Sequence, residues 1–172
     1  MLFDEIHECK FDYVAIPVVS SENRKYIPID LLRANVIAGN KLFMMPHASL
    51  YHFGVLTSNV HMAWTRAVCG RLKSDYSYSN TIVYNNFIWP QTTDEQRAEI
   101  ERTAQGILDA RALYPESSLA DLYDDLTMPA ELRAAHQAND RAVMKAYGFP
   151  VKSTTESGCV AELMKLYAEA TR

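Results

Sequence analysis

The sequence predicts an α+β chain: a mainly β segment with one inserted helix over residues 1–90, followed by a small helical bundle over residues 91–172. Three observations predict it. Up to Phe87, short β-branched and aromatic runs alternate with Asn, Gly, Ser and Pro, the punctuation of strands and turns. From Trp89-Pro90 onward, apolar residues recur at helical spacing between recognisable caps. With 172 residues, 48% of them hydrophobic, the chain can bury one good core or two small ones.

In order along the chain, "YVAIPVVSS" (13–21), "KYIPIDLL" (25–32), "VIAGNKLFMMP" (36–46), "LYHFGVLTS" (50–58) and "NTIVYNNF" (80–87) read as strands. Pro17 and Pro28 lack an N–H for the ladder, so their strands are expected at edges or bulges. One helix interrupts them. Thr57 and Ser58 are N-cap candidates, and Val60, Trp64, Ala67, Val68 and Leu72 place one apolar face on "NVHMAWTRAVCGRL".

The second half begins with "TTDEQRAEIERTAQGILDARALY", where Thr93 and Gln96 form a capping box and Ile100, Ala104, Ile107, Leu108 and Arg111 share a face. "SLADLYD", "AELRAAHQANDRAVMKAYG" and "ESGCVAELMKLYAEA" continue as helices, the second with Pro129 ahead of it and Gly148 as its C-terminal cap. This bundle reads as a support or docking element.

Composition narrows the function classes. The longest apolar runs are far too short to span a bilayer and no signal-like N-terminus is visible, so the chain reads as cytoplasmic with no membrane partner. Three dispersed cysteines, Cys9, Cys69 and Cys159, read as reduced and mostly buried thiols, and the five histidines show no metal-ligand spacing. No metal site, resident cofactor or catalytic residue is expected, because nucleotide loops, nucleophile elbows and zinc-protease motifs are all missing. The charge is divided: residues 13–90 hold seven Lys and Arg against three acids, whereas residues 91–172 hold nine against fourteen. Residues 1–12 add one Lys against four acids, so only the middle segment, 13–90, has the sign expected of a surface that meets phosphate.

Within the basic half, "GRLKSDYSYSN" places Lys73 and Asp75 two residues apart. In extended backbone their side chains share one face about 7 Å apart. A G·C pair offers guanine O6 and N7 acceptors beside a cytosine N4 donor in the major groove, so a cation and a carboxylate at neighbouring points complement it. The alternative is a solvated helix exit with ordinary surface charges, and spacing alone leaves both open. Arg66 and Arg71, Arg24 and Lys25 of "SSENRKY", and Tyr76, Ser77, Tyr78 and Asn80 supply groups of the kind that contact phosphates and base edges. Core packing is an equally good account of the tyrosines.

At "SSENRKYIPI", "ASLYHFGVLTSNVHMAWTRAVCGRLKSDYSYSNTIVYNNFIWP" and "LADLYDDLTMPAELRAAHQANDRAVMKAYGF" the chain closely resembles the C-terminal end of the MmeI-like enzymes, single-chain type IIL restriction-modification proteins and related adenine-specific DNA methyltransferases. The resemblance implies the later part of a DNA target-recognition domain (1–90) followed by a C-terminal helical domain (91–172). It implies double-stranded DNA and the remainder of the parent chain as partners. S-adenosylmethionine would be bound in the parent enzyme, outside this segment. It implies base-reading positions at Lys73 and Asp75, with Ser77 a further specificity position where many relatives carry a longer basic side chain. The Asn35–Lys41 loop is a further candidate contact. "YNNFIWP" lacks the tandem prolines of a catalytic Asn-Pro-Pro loop, so Asn85 and Asn86 read as turn residues. The rival expectation is a stand-alone interaction module whose acidic helices bind a protein and whose β segment does not touch DNA.

Overall fold

The computed structural model describes residues 10–172. Its strands are β1 (Tyr13–Pro17), β2 (Val19–Ser20), β3 (Asp30–Leu32), β4 (Leu42–Pro46), β5 (Gly70–Leu72) and β6 (Asp75–Ser77). Its helices are α1 (Leu50–Leu56), α2 (Asn59–Val68), α3 (Asp94–Ala112), α4 (Leu119–Leu122), α5 (Ala130–Ala146) and α6 (Glu156–Ala170). The α+β expectation holds.

Two small antiparallel sheets, ordered β3-β1-β4 and β2-β6-β5, replace the longer strands expected. The run 13–21 is divided at Val18, whose N–H donates to the Lys41 carbonyl (3.0 Å) and whose carbonyl accepts from the Tyr78 N–H (2.8 Å). One stretch of chain thereby stitches both sheets together. Pro17 sits at the break, where no ladder donor is needed. Residues 25–29 are buried at Tyr26, Ile27 and Ile29 but pair with nothing until Asp30, since Pro28 interrupts the ladder. In the run 36–46, pairing starts at Leu42.

Two expected strands are helical. Residues 50–56 form α1, because the Ser49 N–H donates to His52 Nδ1 (3.0 Å) and caps the first turn. A buried apolar run of this length carries no periodicity that separates strand from helix. Residues 80–84 form a π-helical turn: Ser79 Oγ accepts from the Ile82 N–H (3.3 Å), and Asn86 Nδ2 donates to the Thr81 and Ile82 carbonyls (3.2 and 3.0 Å). Polar side chains here take the backbone bonds a strand would have used. Helix α2 ends at Val68, so Leu72 belongs to β5, and Ala67 points to solvent.

The C-terminal helices follow expectation. Thr93 and Gln96 make the reciprocal capping box of α3. Gly148 (φ 74°) ends α5 in the left-handed conformation, with the Phe149 N–H returning to the Met144 carbonyl (2.9 Å). What was not expected is one continuous core across both halves. A Cβ on Gly54 of α1 would stand 2.7 Å from Ile100 Cγ2 and 3.1 Å from Ala104 Cβ, so glycine lets α1 lie against α3. Asn139 of α5 donates to the Gly54 carbonyl (2.7 Å) and accepts from Thr103 Oγ1 of α3 (3.1 Å), completing the contact.

Arg111 of α3 is buried and binds Asp30 (3.0 Å), the Ile29 carbonyl (2.8 Å) and the Tyr123 hydroxyl, which in turn meets His136 Nε2 (2.7 Å). Tyr26 stacks on His136 at 4.2 Å and donates to Asp140 (2.6 Å), whose other oxygen accepts the Asn59 N–H at the start of α2 (2.8 Å). Paired charges of this kind hold registry between elements, since removing one partner strands the other in low dielectric.

Candidate nucleic-acid interface

β5 and β6 form a hairpin in the register Gly70↔Ser77, Arg71↔Tyr76 and Leu72↔Asp75, leaving Lys73 and Ser74 as a two-residue loop. Lys73 has φ 57°, so it is not extended and does not share a strand face with Asp75 as the spacing suggests. Residues of β6 alternate between two faces. The inner face carries Tyr76, paired with Ser20 of β2 and Arg71 of β5; the outer face carries Asp75 and Ser77, flanked by Val19, Gly70 and Leu72. Gly70 contributes no side chain to the row Val19–Ser77–Gly70, so Ser77 stands open there.

The inner face is anchored. Tyr76 is 5% exposed; its hydroxyl donates to the Glu22 carbonyl (3.4 Å) and receives Arg66 Nε (3.3 Å), and the Arg71 guanidinium lies 4.2 Å above its ring. Tyr78 is 3% exposed and pairs with His61 Nε2 (3.0 Å) on α2. His61 Nδ1 faces the Leu56 carbonyl (2.8 Å), so that nitrogen carries the proton and Nε2 accepts from Tyr78. Burial pushes the His61 pKa down to about 4 and drives that of the Tyr78 hydroxyl far up. These tyrosines bind the hairpin to the core.

Arg66 is also tied down. Its Nη1 pairs with Glu156 of α6 (3.1 Å) and its Nη2 donates to the Lys25 carbonyl (2.9 Å), besides the bond to Tyr76. Arg24, Lys25, Arg71 and Lys73 carry no ion pair among the described residues. Lys25, Arg71, Lys73 and Asn80 are exposed and Arg24 is half-buried. Asn80 opens the π-helical turn, its Oδ1 accepting the Thr81 N–H (2.9 Å). The Glu22 N–H donates to Asp75 Oδ1 (3.3 Å) and draws the Ser21–Lys25 turn against the hairpin.

The fold thus brings Lys73, Asp75 and Ser77 to one tip and one face, with Arg24 and Lys25 on the adjoining turn. Glu22, Glu156 and His61 were missed. Nothing in the sequence marks Glu22 or Glu156, whose partners lie 53 and 90 residues away, whereas His61 between Ser58 and Thr65 shares a polar stripe on an otherwise apolar helix.

Among the described residues no cluster of His, Cys, Asp and Glu is arranged to hold a metal ion, and no helix is long and apolar enough to cross a membrane. Cys69 and Cys159 are free thiols, and burial raises the latter to about 11; Cys9 lies outside the described residues.

A short ribbon showing Asp75 and Ser77 among exposed Val19 and Leu72 on one face, fixed through the other to a helical buttress, has the form of a recognition module. Family comparison agrees: residues 1–91 match the MmeI target recognition domain and residues 92–172 the MmeI C-terminal domain. The chain belongs to the MmeI family. It is 40% identical over 169 residues to DNA methyltransferase A of Bacillus subtilis (strain 168), covering 98% of this chain and 19% of that protein. It superposes with a TM-score of 0.93 and 46% identity on the type IIL restriction-modification enzyme MmeI, solved in complex with DNA, over 99% of this chain and 23% of MmeI. The chain therefore spans about a fifth of the length of these relatives.

Proposed function

We propose that this segment reads DNA sequence for an S-adenosylmethionine-dependent adenine-N6 methyltransferase of the combined restriction-modification type. The β5–β6 hairpin enters the major groove of duplex DNA. There Lys73 donates to guanine O6 or N7, Asp75 accepts from the N4 amino group of the paired cytosine, and Ser77 occupies a further reading position on the outer face. Arg24, Lys25, Arg71 and Asn80 contact the sugar-phosphate backbone and set the register. Residues 91–172, net acidic, brace the recognition segment, residues 1–90, against the rest of the enzyme. The observation that carries this reading is the hairpin itself: an exposed cation at its tip and a carboxylate on its outer face, with the inner face locked to α2.

The chemistry belongs elsewhere in the parent. A cleft of about 250 Å³ between β4 and the π-helical turn is lined by uncharged groups such as Phe43, Met45, Tyr84 and Asn85. It does not fit S-adenosylmethionine, whose cation and ribose hydroxyls call for acidic side chains. The target adenine must leave the stack to be methylated, and this segment holds the duplex while that happens. Membership of the family and the likeness to a DNA-bound enzyme do not favour a stand-alone protein-binding module.

The test is to exchange the pair in the full-length enzyme, Lys73→Glu with Asp75→Arg, and map methylated sites in genomic DNA. One position of the recognised sequence should change its base pair, since a good base contact is worth about 1–3 kcal/mol of discrimination. An unaltered sequence refutes the assignment.

A further inference from the structure

Arg66 has the charge of a phosphate contact and sits one helix away from the reading hairpin, yet its guanidinium is committed inward. We infer that Arg66 is a positioning residue that fixes the base-reading carboxylate, and that Glu156 of the C-terminal domain holds it in place. The inference rests on the reading of Lys73 and Asp75 given above.

All three guanidinium nitrogens are spent, each on a different part of the fold. Nε goes to the Tyr76 hydroxyl on β6, Nη2 to the Lys25 carbonyl at the end of the Ser21–Lys25 turn, and Nη1 to Glu156 in the first turn of α6. The planar fork of arginine suits this task, because donors at fixed angles hold their acceptors in a fixed relation. From Tyr76 and Lys25 the constraint runs to Glu22: the Tyr76 hydroxyl donates to its carbonyl, and its N–H donates to Asp75 Oδ1. One carboxylate oxygen of Asp75 is thereby occupied from the protein side, and the other takes no protein hydrogen bond among the described residues.

The platform beneath Arg66 is stiff. Helix α2 is capped by Ser58, whose Oγ accepts the His61 N–H, and its first free N–H is taken by Asp140 of α5. Trp64 of α2 packs 6.1 Å from Tyr167 of α6, so the α2–α6 contact exists without the ion pair, which adds a second tie between the two helices. The Arg66 side chain keeps 25% of its exposure. It is accessible enough that a phosphate role is the natural competing account, and the two accounts differ in what they do to specificity.

A phosphate contact carries no sequence information, and losing it weakens binding to all sequences while lowering the salt slope by about one. A positioning residue moves selectivity at one base pair and leaves the slope alone. The experiment measures binding of the full-length enzyme to duplexes bearing each of the four base pairs at the position identified by the Lys73/Asp75 exchange, over a range of salt, for Arg66→Gln, Arg66→Lys and Glu156→Gln. Thermal denaturation establishes that each variant is folded. Arg66→Gln is expected to cut selectivity at that pair about tenfold, Glu156→Gln about threefold, with Arg66→Lys between them, and with other positions and the salt slope unchanged.

Uniform weakening with a shallower salt slope makes Arg66 a phosphate contact and overturns the inference. So does unchanged selectivity in folded variants. Should Arg66→Gln fail to fold, the half-exposed Glu156 decides the matter in the same assay. If the Lys73/Asp75 exchange itself shifts no base preference, the reading of the hairpin falls, whatever the Arg66 variants do.

Discussion

Lys73 occupies the first central position of a two-residue hairpin loop at φ 57°, where glycine is the favoured residue. A side chain in the left-handed region costs roughly 1–2 kcal/mol, and replacing it by glycine returns part of that as chain entropy. Lys73→Gly should therefore raise stability in urea by about 0.5–1 kcal/mol, while selectivity at the base pair it is proposed to read collapses. A variant that lost stability, or kept its selectivity, would show that the lysine is held for the turn and not for DNA. The spacing of Lys73 and Asp75 was legible in the sequence, and the proposal that they read one base pair came from the family resemblance; their geometry was not legible, because Lys-Ser is no recognised turn signal. Tyr76 and Tyr78 were legible as an alternating pair whose direction, inward or outward, only the placement of α2 decides.

The hairpin is joined to α2 by His61 and Tyr78, and that joint has a pH signature. The unfolded imidazole titrates near 6.5, whereas burial holds the folded one down to about 4. Between those values the unfolded chain binds the extra proton, so the contribution of His61 is full above pH 6.5 and is lost as pH falls toward 4. His136, pushed to about 3 by burial and by Arg111, acts in the same direction. Asp140, raised by burial to about 6, acts oppositely and offsets part of the loss. The urea midpoint should drop between pH 7 and pH 4.5, and His61→Gln should flatten the drop whatever its effect at neutral pH. A flat wild-type profile over that range would contradict the buried neutral tautomer. Element by element, α3, α5 and α6 were readable because Thr93, Gly148 and Thr155 mark their ends with cap chemistry. α1 was misread because burial on nearly all sides erases its period.

Across the molecule, composition changes at Trp89-Pro90 but the core does not. Ile100, Ala104 and Ile107 of α3 fill the face of α1, and Arg111 neutralises Asp30 from the opposite half of the sequence. Residues 10–91 expressed alone should lack cooperative unfolding and disperse their amide resonances poorly, since Phe53, Val55 and Gly54 would face water. A well-dispersed spectrum would mean that the recognition half folds unaided. This dependence was invisible in the sequence, where the partners lie about 80 residues apart and no local pattern links them.

The two faces of the β5–β6 ribbon are under unequal obligations. Tyr76 and Ser20 answer to the core, and exposed Arg71 lies over the Tyr76 ring, while half-buried Asp75 and Ser77 stand on the outer face with Gly70 leaving space beside Ser77. On the outer face only Asp75 takes a hydrogen bond from another element, so Ser77 can change with little folding penalty. If the ribbon reads DNA as proposed, a point mutation at Ser77 changes the vocabulary and keeps the grammar, so what is recognised can diverge before shape does.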